Sequence, residues 1–163
     1  MIILGIDPGY ATVGYGIIET NGSKVRAVDY GVITTPKEHS IPKRLKFIEK
    51  GIDKLILLHN PDAICIEELF FQNNQKTAIN VAQARGAIII SCMGRCNNLF
   101  EYTPLQIKQA MTGYGRADKR QIQQMVKVML GLKSMPRPDD AADALAVALT
   151  HSQTNRLSAL FGM

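Results

Sequence analysis

The sequence predicts an α/β fold with a five-stranded mixed sheet flanked by helices. Three observations carry this. Short apolar strands joined by tight turns follow one another at the start of the chain, as in an antiparallel meander. The apolar period switches from two to helical near Ile41. Later strands then alternate with helices, and two strands end on carboxylates.

The first strand is the apolar run Ile2, Ile3, Leu4, Ile6, closed by Asp7; Pro8 and Gly9 punctuate it as a turn does. Val13, Tyr15, Ile17 and Ile18 restart a strand with small residues at Gly14 and Gly16. A carboxylate ending a buried strand is costly to ionise unless a cation or turn N–H groups compensate it. The competing reading of an Asp-Pro-Gly is an Asp that merely caps its turn. A third strand is expected over 24–35, broken by Thr35-Pro36.

From Ile41, one helical face carries Ile41, Leu45, Ile48, Ile52, Leu55 and Ile56, and another Lys43, Lys46, Lys50 and Lys54. Spaced cations opposite an apolar face make a solvated surface. Asn60-Pro61 ends the helix. Ala63 to Ile66 is continuously apolar, which fits a strand covered on both faces, and it ends on Glu67 and Glu68. Neighbouring side chains of an extended chain point to opposite faces, so only one of these acids can join Asp7. Phe70 and Phe71 precede amides, a pattern suited to an exposed loop whose aromatic stacks on an unpaired base or wedges a base step. The competing reading is a Phe folded back over the sheet edge.

A helix expected from Lys76 to about Arg95 is apolar almost all round, so it should be buried on more than one side. In a small domain a second subunit is one such cover, and a homodimer through the 77–95 helix is expected; burial within one subunit is the alternative. Leu99 to Tyr102 is the fifth strand, and Pro104 opens a short helix to Met111. After the loop Gly113-Tyr114-Gly115-Arg116, a helix runs from Asp118 to Leu130. The last helix spans Asp139 to His151, where Asp140 and Asp143 share a face and the alanines permit close approach to a sheet. His151 is read as structural or solvated. Residues 1–153 form one domain, and 154–163, which lack a strong pattern, form a tail expected to be mobile.

At 163 residues one domain with a real core is expected. No run of 18 apolar residues occurs, so no membrane span is expected. The start lacks a basic n-region, so no signal peptide is expected. Cys65, Cys92 and Cys96 match no zinc spacing and read as reduced thiols of a cytoplasmic protein. The net charge of +5 is uneven: residues 1–75 sum to −1 and residues 76–163 to +6. Lys108, Arg116, Lys119, Arg120, Lys127, Lys133 and Arg137 face only Asp118 within 102–137. A basic segment beside carboxylates suits a phosphodiester, although a solvated cationic face has the same composition.

If Asp7, Glu67, Asp140 and Asp143 meet, they place four negative charges together, and all-oxygen ligands favour Mg2+ or Mn2+. Two divalent ions balance that charge, and the chemistry they support is phosphodiester hydrolysis. No Cys or Ser/His arrangement offers a competing covalent nucleophile.

This order of elements is that of the ribonuclease H-like fold, and more specifically the sequence resembles the RuvC family of bacterial Holliday junction resolvases to about residue 153. The motifs are GIDPG at 5–9, IEELFF at 66–71, QARG at 83–86, QIKQAMTGYGRADK at 106–119 and DDAADALA at 139–146. The resemblance implies that Asp7, Glu67, Asp140 and Asp143 are catalytic metal ligands, Glu67 rather than Glu68 because it follows the Ile of the strand-end pattern. Some relatives carry His at the position of Asp143. Phe70 matches an aromatic that inserts near the junction crossover, and Lys108 and Lys119 match residues contacting DNA near the scissile phosphate. Arg116 and Arg120, in the same basic segment, are expected DNA contacts; the role of Arg85 in QARG stays open. The implied activity is paired nicking of two like-polarity strands of a four-way DNA junction by a homodimer. It leaves 5′-phosphate and 3′-hydroxyl ends, uses Mg2+ (or Mn2+ as a substitute), two per subunit, and works with the RuvA–RuvB branch-migration motor.

Three rivals stand beside it. GIDPG with its hairpin also resembles the phosphate loop of sugar kinases and actin-like ATPases, which need a second such domain. A ribonuclease H-like enzyme acting on RNA–DNA hybrids or other branched DNA shares the acids. A non-catalytic junction-binding module would tolerate their loss.

Overall fold

The computed structural model describes residues 1–69 and 75–161. Strands β1 (Ile2–Asp7), β2 (Thr12–Asn21) and β3 (Lys24–Thr34) form the antiparallel meander. Gly22 turns β2 into β3 with φ +60°, a conformation glycine adopts without steric cost. After α1 (Ile41–His59), β4 (Ala63–Glu67) pairs parallel to β1, and after α2 (Gln75–Met93), β5 (Leu99–Tyr102) pairs parallel to β4. The sheet order is β3-β2-β1-β4-β5, so the expected mixed five-stranded sheet is present. Helices α3 (Pro104–Thr112), α4 (Lys119–Leu130) and α5 (Asp139–Phe161) complete the chain.

Alternation along the strands splits the core in two. Leu4, Ile6, Ile64 and Ile66 pack with Ile48 and Ile52 of α1 and Ala84 and Ile88 of α2. Ile3, Cys65 and Tyr102 pack on the other face with Ile107 of α3, Val126 of α4 and Leu145 of α5. Helix α5 lies directly against β1 and β2. A Cβ on Gly14 would stand 2.0 Å from the Asp140 carbonyl oxygen, and one on Gly5 would stand 2.2 Å from that of Ala144. Glycine at these positions therefore sets how deep the acidic end of α5 sits.

One expectation needs correction. The last helix does not stop at His151 but runs to Phe161, so most of the segment read as a patternless tail is helical. Helix α2 keeps an apolar face exposed within one copy of the chain, so the alternative of burial within a single subunit does not hold among the described residues. Ala84, Ile88 and Cys92 are buried, but Ile79, Ile90 and Met93 are exposed (66%, 74% and 46%). No helix among the described residues is long and apolar enough to cross a membrane. The three cysteines are free.

Candidate active site

Asp7 closes β1, where it pairs with Gly14 of β2, and Gly14 carries the first turn of α5. This brings Asp140 and Asp143 over the end of β1. Carboxylate oxygens of Asp7, Asp140 and Asp143 all lie within 4.8 Å of one another. Ile6 pairs with Ile66, so Glu67 ends the neighbouring strand level with Asp7. Glu67 stands beside the three-acid group rather than within it, and lines a cleft with Asp143, Lys108, Lys119 and Asp118. Glu68 turns away, into a separate cavity with Leu69, Ala82, Arg85 and Glu101. The alternation of an extended chain thus divides the two adjacent acids between the sheet faces.

The electrostatics match a site built for cations. Burial, then the charges of Glu67, Asp143 and Asp140, push Asp7 up to about 8. Burial and Asp143 push Glu67 up to about 7 against the opposing pull of Lys119 and Lys108. Asp143 is also raised by burial, and Lys119 opposes that rise. Burial disfavours the ammonium of Lys119, but Asp143 and its neighbours outweigh that and raise its pKa. Near neutral pH these carboxylates cannot all ionise without added positive charge. Oxygen-only donors at this spacing fit a hard divalent cation.

The basic side of the cleft rests on two helix starts. Thr103 caps α3 by accepting from the Gln106 N–H while the Gln106 side chain accepts from the Thr103 N–H, and Lys108 follows. Asp118 and Gln121 make the same reciprocal pair at α4, which places Lys119 at its first residue. The helix expected to begin at Asp118 therefore has Asp118 as its cap. Lys119 Nζ lies 3.2 Å from Asp143 Oδ2 and 3.8 Å from Asp139 Oδ2. Arg116 and Arg120 are exposed, and Phe70 lies outside the described residues.

Sequence reasoning passed over the two capping boxes, although a Thr or Asp followed three residues later by Gln is their local signal. It also left Arg85 open; Arg85 Nη2 pairs with Glu101 Oε1 at 2.9 Å, tying α2 to β5. His151 is structural: it is buried, its Nδ1 lies 2.8 Å from the Tyr102 hydroxyl, and its ring packs on Phe100.

Sheet order, helix placement and acid cluster together put the chain among the ribonuclease H-like nucleases. Residues 3–151 match the family model of crossover junction endodeoxyribonuclease RuvC, and the chain belongs to that family. It is 57% identical over 157 residues to crossover junction endodeoxyribonuclease RuvC of Clostridioides difficile (strain 630), covering 96% of this chain and 93% of that protein. It is similar to the Thermus thermophilus RuvC structure with a TM-score of 0.88 and 34% identity, covering 97% of each chain. The T. thermophilus RuvC in complex with Holliday junction substrate matches with a TM-score of 0.87 and 32% identity over 96% of each chain.

Proposed function

We propose that this protein resolves four-way DNA junctions by nicking two strands of like polarity, leaving 5′-phosphate and 3′-hydroxyl ends. The observation that carries this is the meeting of Asp7, Asp140 and Asp143 within 4.8 Å, beside a cleft with Lys108 and Lys119. Asp7, Asp140 and Asp143, with Glu67 beside them, hold Mg2+ (Mn2+ as a substitute), two ions per subunit. When bound, the ions lower the pKa of an attacking water and offset charge at the phosphate.

The protein's own groups do the rest. Glu67 and Asp143 bound the cleft on the acid side. Lys108 and Lys119 hold phosphate oxygens there, and Arg116 and Arg120 extend the contact along the backbone. Lys119, held by Asp143 and Asp139, is oriented before DNA arrives, which reduces the ordering cost of binding. Phe70 inserts at the crossover by family resemblance.

Paired nicking requires two sites. The exposed residues Ile79, Ala82, Ile90 and Met93, with the half-buried Gly86 between them, follow one face of α2 at spacings of three and four residues. A second copy of the chain seated on this stripe would bury it and relate the two sites by a two-fold axis. The same family resemblance supports action in recombination and repair in the cytoplasm with RuvA–RuvB.

The test is Mg2+-dependent cleavage of synthetic four-way junctions with varied crossover sequences, beside linear duplex and RNA–DNA hybrid of matched sequence. Paired, ligatable nicks confined to the junction are expected. Cleavage of the hybrid alone would transfer the same acids to another substrate, and tight binding without cleavage would make the protein a binding module.

A further inference from the structure

Arg44, in the first turn of α1, is only 8% exposed. None of the ion pairs among the described residues involves it. Arginine keeps its proton in proteins, so a largely buried guanidinium without a counter-charge carries a desolvation cost that a neutral side chain would avoid. What holds it is neutral. Its Nε donates to Thr35 Oγ1 at 2.7 Å, and its guanidinium carbon lies 4.8 Å from the centre of the Tyr10 ring. The Thr35 hydroxyl in turn donates to the Tyr10 carbonyl at 2.7 Å. No Arg44 nitrogen is both buried and without a partner, so the Nη groups, which have no protein partner among the described residues, reach solvent.

The surroundings favour an anion. The N-cap of α1, Ser40, makes no side-chain cap hydrogen bond. The 19-residue helix thus begins with the positive end of its dipole and with the N–H groups of Ile41 and Lys43 uncapped, since Pro42 has none and the Arg44 N–H donates to the Ser40 carbonyl. Lys37 and Lys43 flank it in sequence.

The place is also telling. Tyr10 and Ala11 belong to the turn that leaves Asp7, and the Thr35 N–H donates to the Ala11 carbonyl at 2.9 Å. Arg44 therefore sits at the same end of the sheet as the acids, toward β3 and on the face covered by α1 and α2, whereas the acids lie under α5 on the other face, with Lys108 and Lys119 beside them toward β4 and β5. A DNA strand that passes over this end of the sheet from one face to the other would meet both.

We propose that Arg44, with the uncapped first turn of α1, binds a backbone phosphate of the strand being cut, on the side of the acid cluster opposite Lys108 and Lys119. This rests on the nuclease reading above. The cut strand is then held on both sides of the acids, with Thr35 and Tyr10 fixing the guanidinium relative to the turn after Asp7.

The test replaces single phosphates around the cleavage site of a four-way junction with neutral methylphosphonates and measures binding in the absence of Mg2+. For the wild-type chain, affinity should fall about five- to tenfold at one position a few nucleotides from the cut. Arg44→Gln should be insensitive at that position alone, and its salt slope should be lower by about one. Arg44→Lys should keep most of the sensitivity. A position-by-position profile for Arg44→Gln identical to wild type would overturn the proposal, since a merely structural Arg44 weakens every position alike. If Arg44→Gln fails to fold, Thr35→Val removes the Nε anchor but keeps the charge. It should blunt the response at the same phosphate, and an unchanged profile would again overturn the proposal. Wild-type cleavage of the unmodified junction reports separately on the nuclease reading.

Discussion

Lys119 Nζ lies 3.2 Å from Asp143 Oδ2, so the first residue of α4 is bonded to the acidic turn of α5. One cation thus lies between the acid cluster and the cleft that Lys108 also lines. Lys119→Ala should weaken junction binding and reduce its salt slope by about one, since one phosphate contact is lost. Fluorescence anisotropy across a salt series measures this, and an unchanged slope would count against a direct contact.

Asp7 is the acid that all the others oppose. Asp7→Asn should lower cleavage by about 10³-fold or more while leaving junction binding within a few fold, as measured by single-turnover assays and gel shift.

The same residue governs stability without metal. Burial and neighbouring acids raise its folded pKa from the ordinary 3.8 to about 8. Between these values the folded state holds a proton that the unfolded chain has released, so metal-free stability falls as pH rises through that window. Asp7→Asn should flatten the loss, with a gain on the order of 2 kcal/mol at pH 8 in urea titrations with chelator. Adding Mg2+ at pH 7.5 to the wild-type protein in weak buffer should release protons. A wild-type stability that rises over this pH range would contradict a proton held on Asp7 by burial and charge repulsion.

Gly14→Ala should damage the site without touching an acid. Its Cβ would stand 2.0 Å from the Asp140 carbonyl oxygen, which is backbone and cannot rotate away. Helix α5 must lift, costing about 1–3 kcal/mol and misplacing Asp140. Thermal melts and cleavage rates should fall together.

Ile90 is 74% exposed, so Ile90→Glu should leave the monomer folded. It should shift the protein to monomer in analytical ultracentrifugation and convert paired nicks into single ones. A dimer that survives Ile90→Glu would move the interface off α2.

Local features of the chain account for most of what was legible in it. Strand β5 matches its expected span at Leu99–Tyr102, and α1 begins at Ile41 as the change of period indicates. The end of α5 was not legible, because residues 154–163 carry no strong apolar pattern. In the folded helix Thr150 and Thr154 instead donate their hydroxyls to the carbonyls of Ala146 and Thr150 at 2.8 and 2.9 Å, which lets polar residues ride on a continuing helix.

By itself the sequence determined the elements and the acids, since periodicity, Gly and Pro punctuation and residue chemistry are local properties. Tertiary structure alone decided which acids meet. The Ile6–Ile66 register sets Glu67 level with Asp7 and turns Glu68 toward Arg85. The contact of Gly14 with Asp140 brings a helix from the far end of the chain onto β1. It also decided that α2 keeps an apolar face uncovered and that Arg44 lies buried without a counter-charge. These are properties of packing between distant segments, and no window of sequence contains both partners.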